Sequence, residues 1–181
     1  MVQRWLYRTR QFFEILFSHP TPEDLALARQ ILSPAQMALF SRLQLSDQAH
    51  AVRVLQKVEV VCRSNGMVLP DDLQVAALLH DIGKARYPLR IWERVMVVLG
   101  KAIAPERVKN WGNHPPRGWV RPFVVAAHHP GWGADLAAEQ GASPRVVALI
   151  RRHQDYLPED IFFDNEEDRL LAILQAVDDE S

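Results

Sequence analysis

The sequence contains the stretch Ala76-Ala77-Leu78-Leu79-His80-Asp81-Ile82-Gly83-Lys84, in which an apolar run ends in an adjacent imidazole and carboxylate. Residues 71–75 lead into it without a helix breaker, so the pattern predicts a helix that closes at Gly83. Because consecutive residues of a helix point about 100° apart, His80 and Asp81 can approach one small ligand beside its last turn. Burying both without a partner would be costly, and a divalent metal would supply the partner. A hydrogen-bonded His-Asp pair at a helix end is the alternative.

The composition indicates one globular domain. The chain has 181 residues, of which 48% are apolar and 24% are charged. No apolar run has the length that a bilayer span requires, and the start of the chain lacks a signal-peptide cleavage pattern, so we expect a cytoplasmic protein. The single cysteine, Cys62, excludes an intramolecular disulfide and a zinc cluster built on thiolates.

The net charge of −1 conceals a separation of basic and acidic residues along the chain. Residues 84–121 contain nine Lys or Arg and only Glu93 and Glu106 as acids. Residues 155–181 contain ten acidic residues and only Arg169 as a base. The basic stretch would suit a phosphate-bearing ligand, an anionic membrane surface or the acidic tail itself, and charge alone does not choose among them.

Nearly every segment has a helical pattern and no stretch alternates with period two, so the sequence predicts an all-α fold. An apolar first helix within residues 5–17 would dock on the domain, on a partner subunit or on a membrane surface. Thr21-Pro22 and Ser33-Pro34 each predict a helix start. A longer helix is predicted to begin at Ser46 and to end at Asn65-Gly66.

Glycine, proline and capping residues predict the ends of the later helices. The apolar segment 89–99 is expected to stop at Gly100, and the next long helix is expected to break at Pro130. Asp164 and Glu167 predict a capping box at the start of the last helix.

Ionisable residues recur at the edges of the apolar stripes that should face the core. A single histidine in such a place is more often a core residue than a ligand. Several of them buried around one core would nevertheless need a common partner. A shared cation meets that need, as in the carboxylate and histidine sites of helical bundles. The residues in question are His50, His80, Asp81, His153 and Asp178.

The stretch from His80 to Lys84 resembles the signature of the HD superfamily of metal-dependent phosphohydrolases. The family's early histidine, its His-Asp doublet and its late aspartate correspond to His50, to His80 and Asp81, and to Asp178. The resemblance implies an all-α, HD-domain-like helical bundle over residues 46–181, of the small single-domain bacterial type. Residues 1–45 would be an N-terminal helical extension packed on it.

Dinuclear members of the family have two further histidines between the doublet and the late aspartate. The stretch His129-Pro130-Gly131-Trp132-Gly133-Ala134 resembles the first of these segments, and His153 corresponds to the second. His114-Pro115 looks similar but lacks the following Gly-Ala. Relatives often have a second histidine directly after the one that corresponds to His153, where this chain has Gln154. The resemblance therefore leaves the number of metal ions, one or two, undecided. The glycine-containing signature of cyclic-dinucleotide phosphodiesterases is missing after Gln154, which disfavours that branch.

The resemblance implies hydrolysis of a phosphoester or phosphoanhydride, on a nucleotide, by metal-activated water. Asp81 would orient the water and Lys84 would hold a phosphate oxygen, which makes both catalytic candidates. Arg86 is a weaker phosphate-binding candidate. Imidazole and carboxylate ligands without thiolate suit Mn, Fe, Co, Ni or Zn, and suit Mg less well.

Two alternatives stay open. A non-catalytic HD fold would bind a nucleotide or a metal and serve a regulatory role. A membrane-surface protein is the other, because residues 91–103 resemble an interfacial helix. A homo-oligomer is compatible with the sequence, and no nucleic-acid partner is expected.

Overall fold

The computed structural model describes residues 18–157 and 165–180, and within these ranges it contains nine α-helices and no β-strand. The predicted all-α class is confirmed. Two 3-10 turns lie at Ile82–Arg86 and Gly118–Val120. The predicted helix within residues 5–17 lies outside the described ranges. The helices are α1 (Pro22–Ile31), α2 (Pro34–Phe40), α3 (Leu45–Ser64), α4 (Asp71–Leu79), α5 (Ile91–Ile103), α6 (Pro105–Gly112), α7 (Arg121–Glu139), α8 (Pro144–Arg152) and α9 (Glu166–Asp179).

The predicted starts of α1 and α2 are confirmed, and the structure shows that each is a capping box. Thr21 Oγ1 accepts a hydrogen bond from the Asp24 N–H at 3.1 Å, and the Asp24 carboxylate accepts one from the Thr21 N–H at 2.9 Å. Ser33 and Gln36 make the same pair of bonds. Such a cap stabilises a helix by about 1 kcal/mol. It fixes the two short helices that pack into the same core as the rest of the domain.

The central element is α4, whose apolar run is buried on every side. Its residues Leu73, Ala76, Ala77, Leu78 and Leu79 are all 0% exposed. A helix that is apolar all round needs neighbours all round. Here α3 and α8 pack directly against it, and α7 packs on α8 and on the turn Ile82–Arg86 that follows α4. The end of α4 is therefore held at the centre of the bundle.

The predicted end of this helix at Gly83 is wrong, because α4 ends at Leu79 and Gly83 lies in the following 3-10 turn. The glycine is required by a close approach instead. A Cβ atom at Gly83 would lie 2.0 Å from the backbone oxygen of His129 and 2.8 Å from the nitrogen of Gly133. The turn after α4 and the middle of α7 thus touch backbone to backbone.

The predicted break at Pro130 is also wrong, because α7 is continuous through it. Proline has no N–H, so the carbonyl of Ala126 loses its helical donor. The side chain of His129 compensates: its Nδ1 lies 3.1 Å from the Ala126 oxygen and 3.0 Å from the Val125 oxygen. The proline is tolerated because a neighbouring side chain satisfies the freed carbonyl.

Two further predicted boundaries differ from the structure. Helix α5 runs through Gly100, where a Cβ atom would lie 2.6 Å from the ring of Phe123, so this glycine serves packing. Helix α9 is capped by Asn165, whose side chain accepts from the Asp168 N–H at 2.7 Å. The predicted capping box is therefore in the wrong register: Glu167 accepts from Arg152, and Asp164 lies outside the described residues. Among the helices described, none is long and apolar enough to cross a membrane.

Candidate metal centre

The structure brings the six predicted metal ligands together from separate elements. His50 lies on α3, His129 on α7 and Asp178 on α9, while His153 caps the end of α8. His80 and Asp81 follow directly after α4. The ligand atoms form two groups, and within each group they lie within 4.8 Å of one another. The first group is His50, His80 and Asp178, and the second is Asp81, His129 and His153.

In the first group the two imidazoles face the late aspartate. Asp178 Oδ1 lies 2.9 Å from His50 Nε2 and 3.3 Å from His80 Nε2. Asp81 Oδ2 approaches the same two nitrogens, at 3.9 Å and 3.5 Å. Two imidazole nitrogens and two carboxylate oxygens therefore surround one small volume.

In the second group the other oxygen of Asp81 faces the remaining histidines. Asp81 Oδ1 lies 3.1 Å from His129 Nε2 and 3.8 Å from His153 Nε2. The two Nε2 atoms are 3.3 Å apart. Asp81 consequently offers one oxygen to each group, and it is the residue that links them.

Backbone carbonyls orient three of the four imidazoles. His80 Nδ1 donates to the Ala77 oxygen at 2.9 Å, and His153 Nδ1 donates to the Ile150 oxygen at 2.8 Å. His129 Nδ1 donates to α7 as described above. Because a carbonyl can only accept, each Nδ1 carries the hydrogen, and each ring in its neutral form directs the lone pair of Nε2 into the cluster.

This donor set fits a cation. His80 Nε2 is fully buried and has no partner in hydrogen-bonding geometry. The Nε2 lone pairs of His129 and His153 face each other at 3.3 Å, which is unfavourable unless a positive charge lies nearby. His80, Asp81, His129 and His153 are all at most 3% exposed. A polar cluster this deep needs a positive charge to balance its carboxylates, and a bound cation would supply it.

The pKa values of the histidines indicate which ring carries the positive charge when no metal is bound. Burial disfavours the charged form of His80, but Asp81 and Asp178 outweigh burial and raise the pKa of His80 to about 10. Burial, together with the charges of His80 and His129, lowers the pKa of His153 to about 3. Burial also lowers the pKa of His129. At neutral pH the metal-free cluster thus holds a proton on His80.

Metal binding should displace this proton. Since the pKa of His80 lies near 10 without metal, the ring is protonated at pH 7, and we expect about one proton to be released by His80 as metal binds. The affinity should then fall as the pH is lowered from about 10, by up to about tenfold per pH unit. Isothermal titration calorimetry in two buffers of different ionisation enthalpy measures the release directly. Identical heats in both buffers would contradict the prediction.

The two predicted phosphate-binding residues differ in position. The ammonium of Lys84 donates to Asp81 Oδ2, beside the ligand cluster. Burial lowers the pKa of Lys84, but Asp81 and Asp47 outweigh burial and raise it, so the amine stays charged. The exposed Arg86 lies with its guanidinium carbon 5.5 Å from the centre of the Trp132 ring. The structure does not bring Arg86 to the cluster.

Two pockets open beside the ligands. The first has a volume of about 220 Å³ and reaches His129; the second has about 250 Å³ and reaches His153 and Asp178. Lys101 and Gln154 line both of them. The first pocket combines Lys84, Arg94 and Lys101 with an apolar wall formed by Leu89, Val97, Val98, Val125 and Ala126.

Lys101 is the pocket residue that the sequence interpretation missed. Arg94 also lines the pocket, but both of its terminal nitrogens bind the Asp47 carboxylate at 2.7 Å. Lys101 is exposed and has no ion-pair partner among residues 18–157 and 165–180. Val97 and Lys101 are four residues apart, a helical spacing that could have placed both on one face. The predicted stop at Gly100 places Lys101 outside the helix, and the alternative of an interfacial helix over residues 91–103 includes Lys101 but gives it no role in a pocket.

The other described histidines lie away from the cluster. His128 bonds the Gly112 carbonyl through Nε2 at 3.0 Å and stacks on Trp132. His19 and His114 are exposed. His114 was predicted to be a look-alike, and it stands outside both ligand groups.

A family model agrees with this geometry. The model of the HD domain matches residues 48–179, which begin two residues before His50 and end one residue after Asp178. The chain belongs to the HD domain family. Comparisons with curated proteins and with solved structures gave no match. HD domains are mostly metal-dependent hydrolases and bind divalent metals, and the doublet that names them is here His80 and Asp81.

Proposed function

We propose that this HD domain hydrolyses a phosphoester or phosphoanhydride of a nucleotide. The observation that carries the proposal is the convergence of six imidazole and carboxylate side chains. Within this cluster His80 Nε2 is fully buried and lacks a partner in hydrogen-bonding geometry, with carboxylate oxygens of Asp178 and Asp81 at 3.3 Å and 3.5 Å. Lys84 and Lys101 stand at the pocket next to this cluster. A cation-binding cluster beside these two ammonium groups, of which Lys101 has no ion-pair partner among the described residues, suits an anionic substrate such as a phosphate ester.

The donor set favours a transition metal. Imidazole and carboxylate ligands without thiolate suit Mn, Fe, Co, Ni or Zn better than Mg. Each ligand group would hold one ion, with Asp81 contributing to both. Gln154 adds no ligand to the second group, which rests on three side chains. A divalent cation held there supplies the charge that polarises a phosphoryl oxygen and acidifies a water molecule.

The side chains of the protein bind and orient the substrate. Asp81 stays ionised, since its pKa is lowered by Lys84 and His80 although burial alone would raise it, and it can align a water molecule by accepting a hydrogen bond. Lys84 and Lys101 reach the first pocket and would bind the oxygens of the phosphate. The apolar wall beside them would cover the base or sugar and exclude water. The Gln154 amide can both donate a hydrogen bond to the base and accept one from it.

The direct test is phosphate release from nucleoside mono-, di- and triphosphates with the purified protein loaded with Mn²⁺, Co²⁺, Ni²⁺ or Zn²⁺. We expect turnover by the wild type and at least about a hundredfold loss in His80→Ala, because the variant lacks a ligand for the activating ion. His128→Ala is the matched control, since that exposed histidine lies outside the cluster. Nucleotide binding without turnover under all four metals would instead support the non-catalytic, regulatory alternative.

The same assay measures the role proposed for Lys101. Lys101→Gln should raise KM by roughly tenfold while the metal content stays unchanged, because a charge-assisted hydrogen bond to the phosphate is lost. Lys109→Gln removes an exposed lysine that pairs with Glu106 outside the pockets and should leave KM unchanged. An unaltered KM in Lys101→Gln would contradict the assignment.

A further inference from the structure

Helix α5 directs its charged residues toward the protein. Glu93 is 3% exposed and binds Arg121. Arg94 binds Asp47 on α3, and Lys101 lines the two pockets. An ordinary surface helix has the opposite arrangement, with its apolar stripe facing the core.

The outward side of α5 is apolar along its whole length. We call it the outer face of α5; it comprises Ile91, Trp92, Val95, Val98, Leu99, Ala102 and Ile103, with Val98 at the edge where this face meets the first pocket. Five of these residues are large and 44–79% exposed, with Ile103 at 79% and Trp92 at 51%. Single exposed apolar residues are common on proteins, but a continuous face of this kind marks an interaction surface.

The segment of the chain that contains α5 is basic, since residues 84–121 have nine Lys or Arg and only two acids. Arg107, in the first turn of α6, and Arg117, before the second 3-10 turn, are exposed, and their side chains have no hydrogen-bond or ion-pair partner among the described residues. Glu93 is already paired with Arg121, and Glu106 pairs with Lys109. The local acids are thus occupied by other bases.

A second exposed tryptophan lies close to α5. Trp119 is 58% exposed and packs on Phe123, whose ring lies next to Gly100 of α5. Exposed tryptophans next to basic residues are typical of segments that lie in a membrane interface.

We propose that the outer face of α5 docks on an anionic lipid surface. Charge complementarity favours this occupant over the two others available. In a symmetric contact between two copies, Arg107 and Arg117 would approach the same basic patch of the second copy. Residues 1–17 have Arg4, Arg8 and Arg10 against one acid, Glu14, so they too carry the same sign as the surface they would cover. A bilayer with anionic headgroups satisfies both the apolar face and its basic surroundings.

Co-sedimentation of the full chain with vesicles tests the proposal without reference to catalysis. The vesicles contain phosphatidylcholine alone or equal parts of phosphatidylcholine and phosphatidylglycerol. The wild type should bind the anionic vesicles, bind the neutral ones more weakly, and lose affinity as salt is added. The double variant Leu99→Glu/Ile103→Glu should bind at least about tenfold more weakly, because carboxylates replace the inserting side chains. Arg107→Gln/Arg117→Gln should lose roughly fivefold for each arginine.

Val68→Glu is the matched control for the acidic substitutions, because Val68 is 90% exposed between α3 and α4, away from the outer face. It should bind like the wild type. Three results would overturn the proposal. The first is a wild type that stays in the supernatant with anionic vesicles, and the second is undiminished binding by Leu99→Glu/Ile103→Glu, which would assign the contact to another segment. The third is a wild-type dimer that ignores vesicles and that Leu99→Glu/Ile103→Glu dissociates.

Discussion

Replacing Asp81 by asparagine is expected to remove bound metal from both ligand groups and to abolish hydrolysis. Asp81 Oδ2 faces His80 and His50, while Oδ1 faces His129 and His153. Asparagine keeps the shape of the side chain but replaces one oxygen by a hydrogen-bond donor and removes the negative charge. The amide would direct either its donor or its uncharged oxygen at each group, so the second group loses its one carboxylate and the first group keeps that of Asp178 alone.

Elemental analysis of the purified proteins measures the effect. The metal content of Asp81→Asn should fall below about a tenth of the wild-type value, and phosphate release should fall by about a thousandfold or more, because the metal supplies several kcal/mol of charge stabilisation. Asp178→Asn is the informative comparison, since Asp178 belongs to the first group alone. Asp178→Asn should lower the affinity for the ion of the first group and leave the ion of the second group bound. A wild-type metal content in Asp81→Asn would contradict the geometry of a shared carboxylate.

The six candidate ligands can be predicted from the sequence because their positions depend on short-range patterns. His50, His153 and Asp178 each lie about one helical turn beyond an apolar stripe. Residues three or four apart share one face of a helix, so these side chains also face the core. The order of these residues along the chain, with the doublet between them, sufficed to identify the family. Errors of a few residues in the helix ends did not matter for this purpose.

The helix ends failed where long-range packing overrides local rules. Gly83 and Gly100 were interpreted as stops, yet each stands where a neighbouring element leaves no room for a Cβ atom. Pro130 predicts a break, yet the helix continues. Proline has no N–H for the Ala126 carbonyl, and the His129 side chain donates to that carbonyl instead. No pattern within a single segment shows what will pack against it. A glycine or proline that ends a helix therefore looks the same in the sequence as one that lies at a close contact within the fold.

The position of Arg86 depends on the form of the turn that carries it. Residues two apart in a 3-10 helix point about 240° apart, since three residues complete one turn. Lys84 faces Asp81, so Arg86 is directed away, toward the ring of Trp132. The sequence predicts a phosphate-binding role for both residues from their positive charge after the doublet, and that charge carries no information on the direction of either side chain.

Gly83→Ala is expected to destabilise the protein by about 3 kcal/mol or more, the upper range for overpacked sites. The added Cβ would lie 2.0 Å from the backbone oxygen of His129 and 2.8 Å from the nitrogen of Gly133. Backbone atoms cannot rotate away as the end of a side chain can, so α7 must move as a unit. Equilibrium unfolding in urea, followed by circular dichroism, measures the loss.

Gly131→Ala, in helix α7 itself, is the matched control. Its nearest neighbour would be the Arg151 side chain at 3.7 Å, which is an ordinary contact. Alanine is the better helix former by up to about 1 kcal/mol, so this variant should be neutral or more stable than the wild type. Comparing the two variants therefore separates the effect of replacing a glycine by alanine from the effect of the clash between the added Cβ and the backbone of α7.

The two variants should also differ in metal binding, because the backbone contact of Gly83 lies at the residue that supplies a ligand. Moving α7 away from the turn lengthens the 3.1 Å separation between His129 Nε2 and Asp81 Oδ1, and this weakens the second ligand group. The first group takes no ligand from α7, so it should keep its metal in any Gly83→Ala protein that still folds. Selective loss of one ion at a temperature where the variant is folded would show that this glycine sets the spacing of the metal centre. Equal stability and equal metal content in the two variants would show that α7 does not approach the turn in this way.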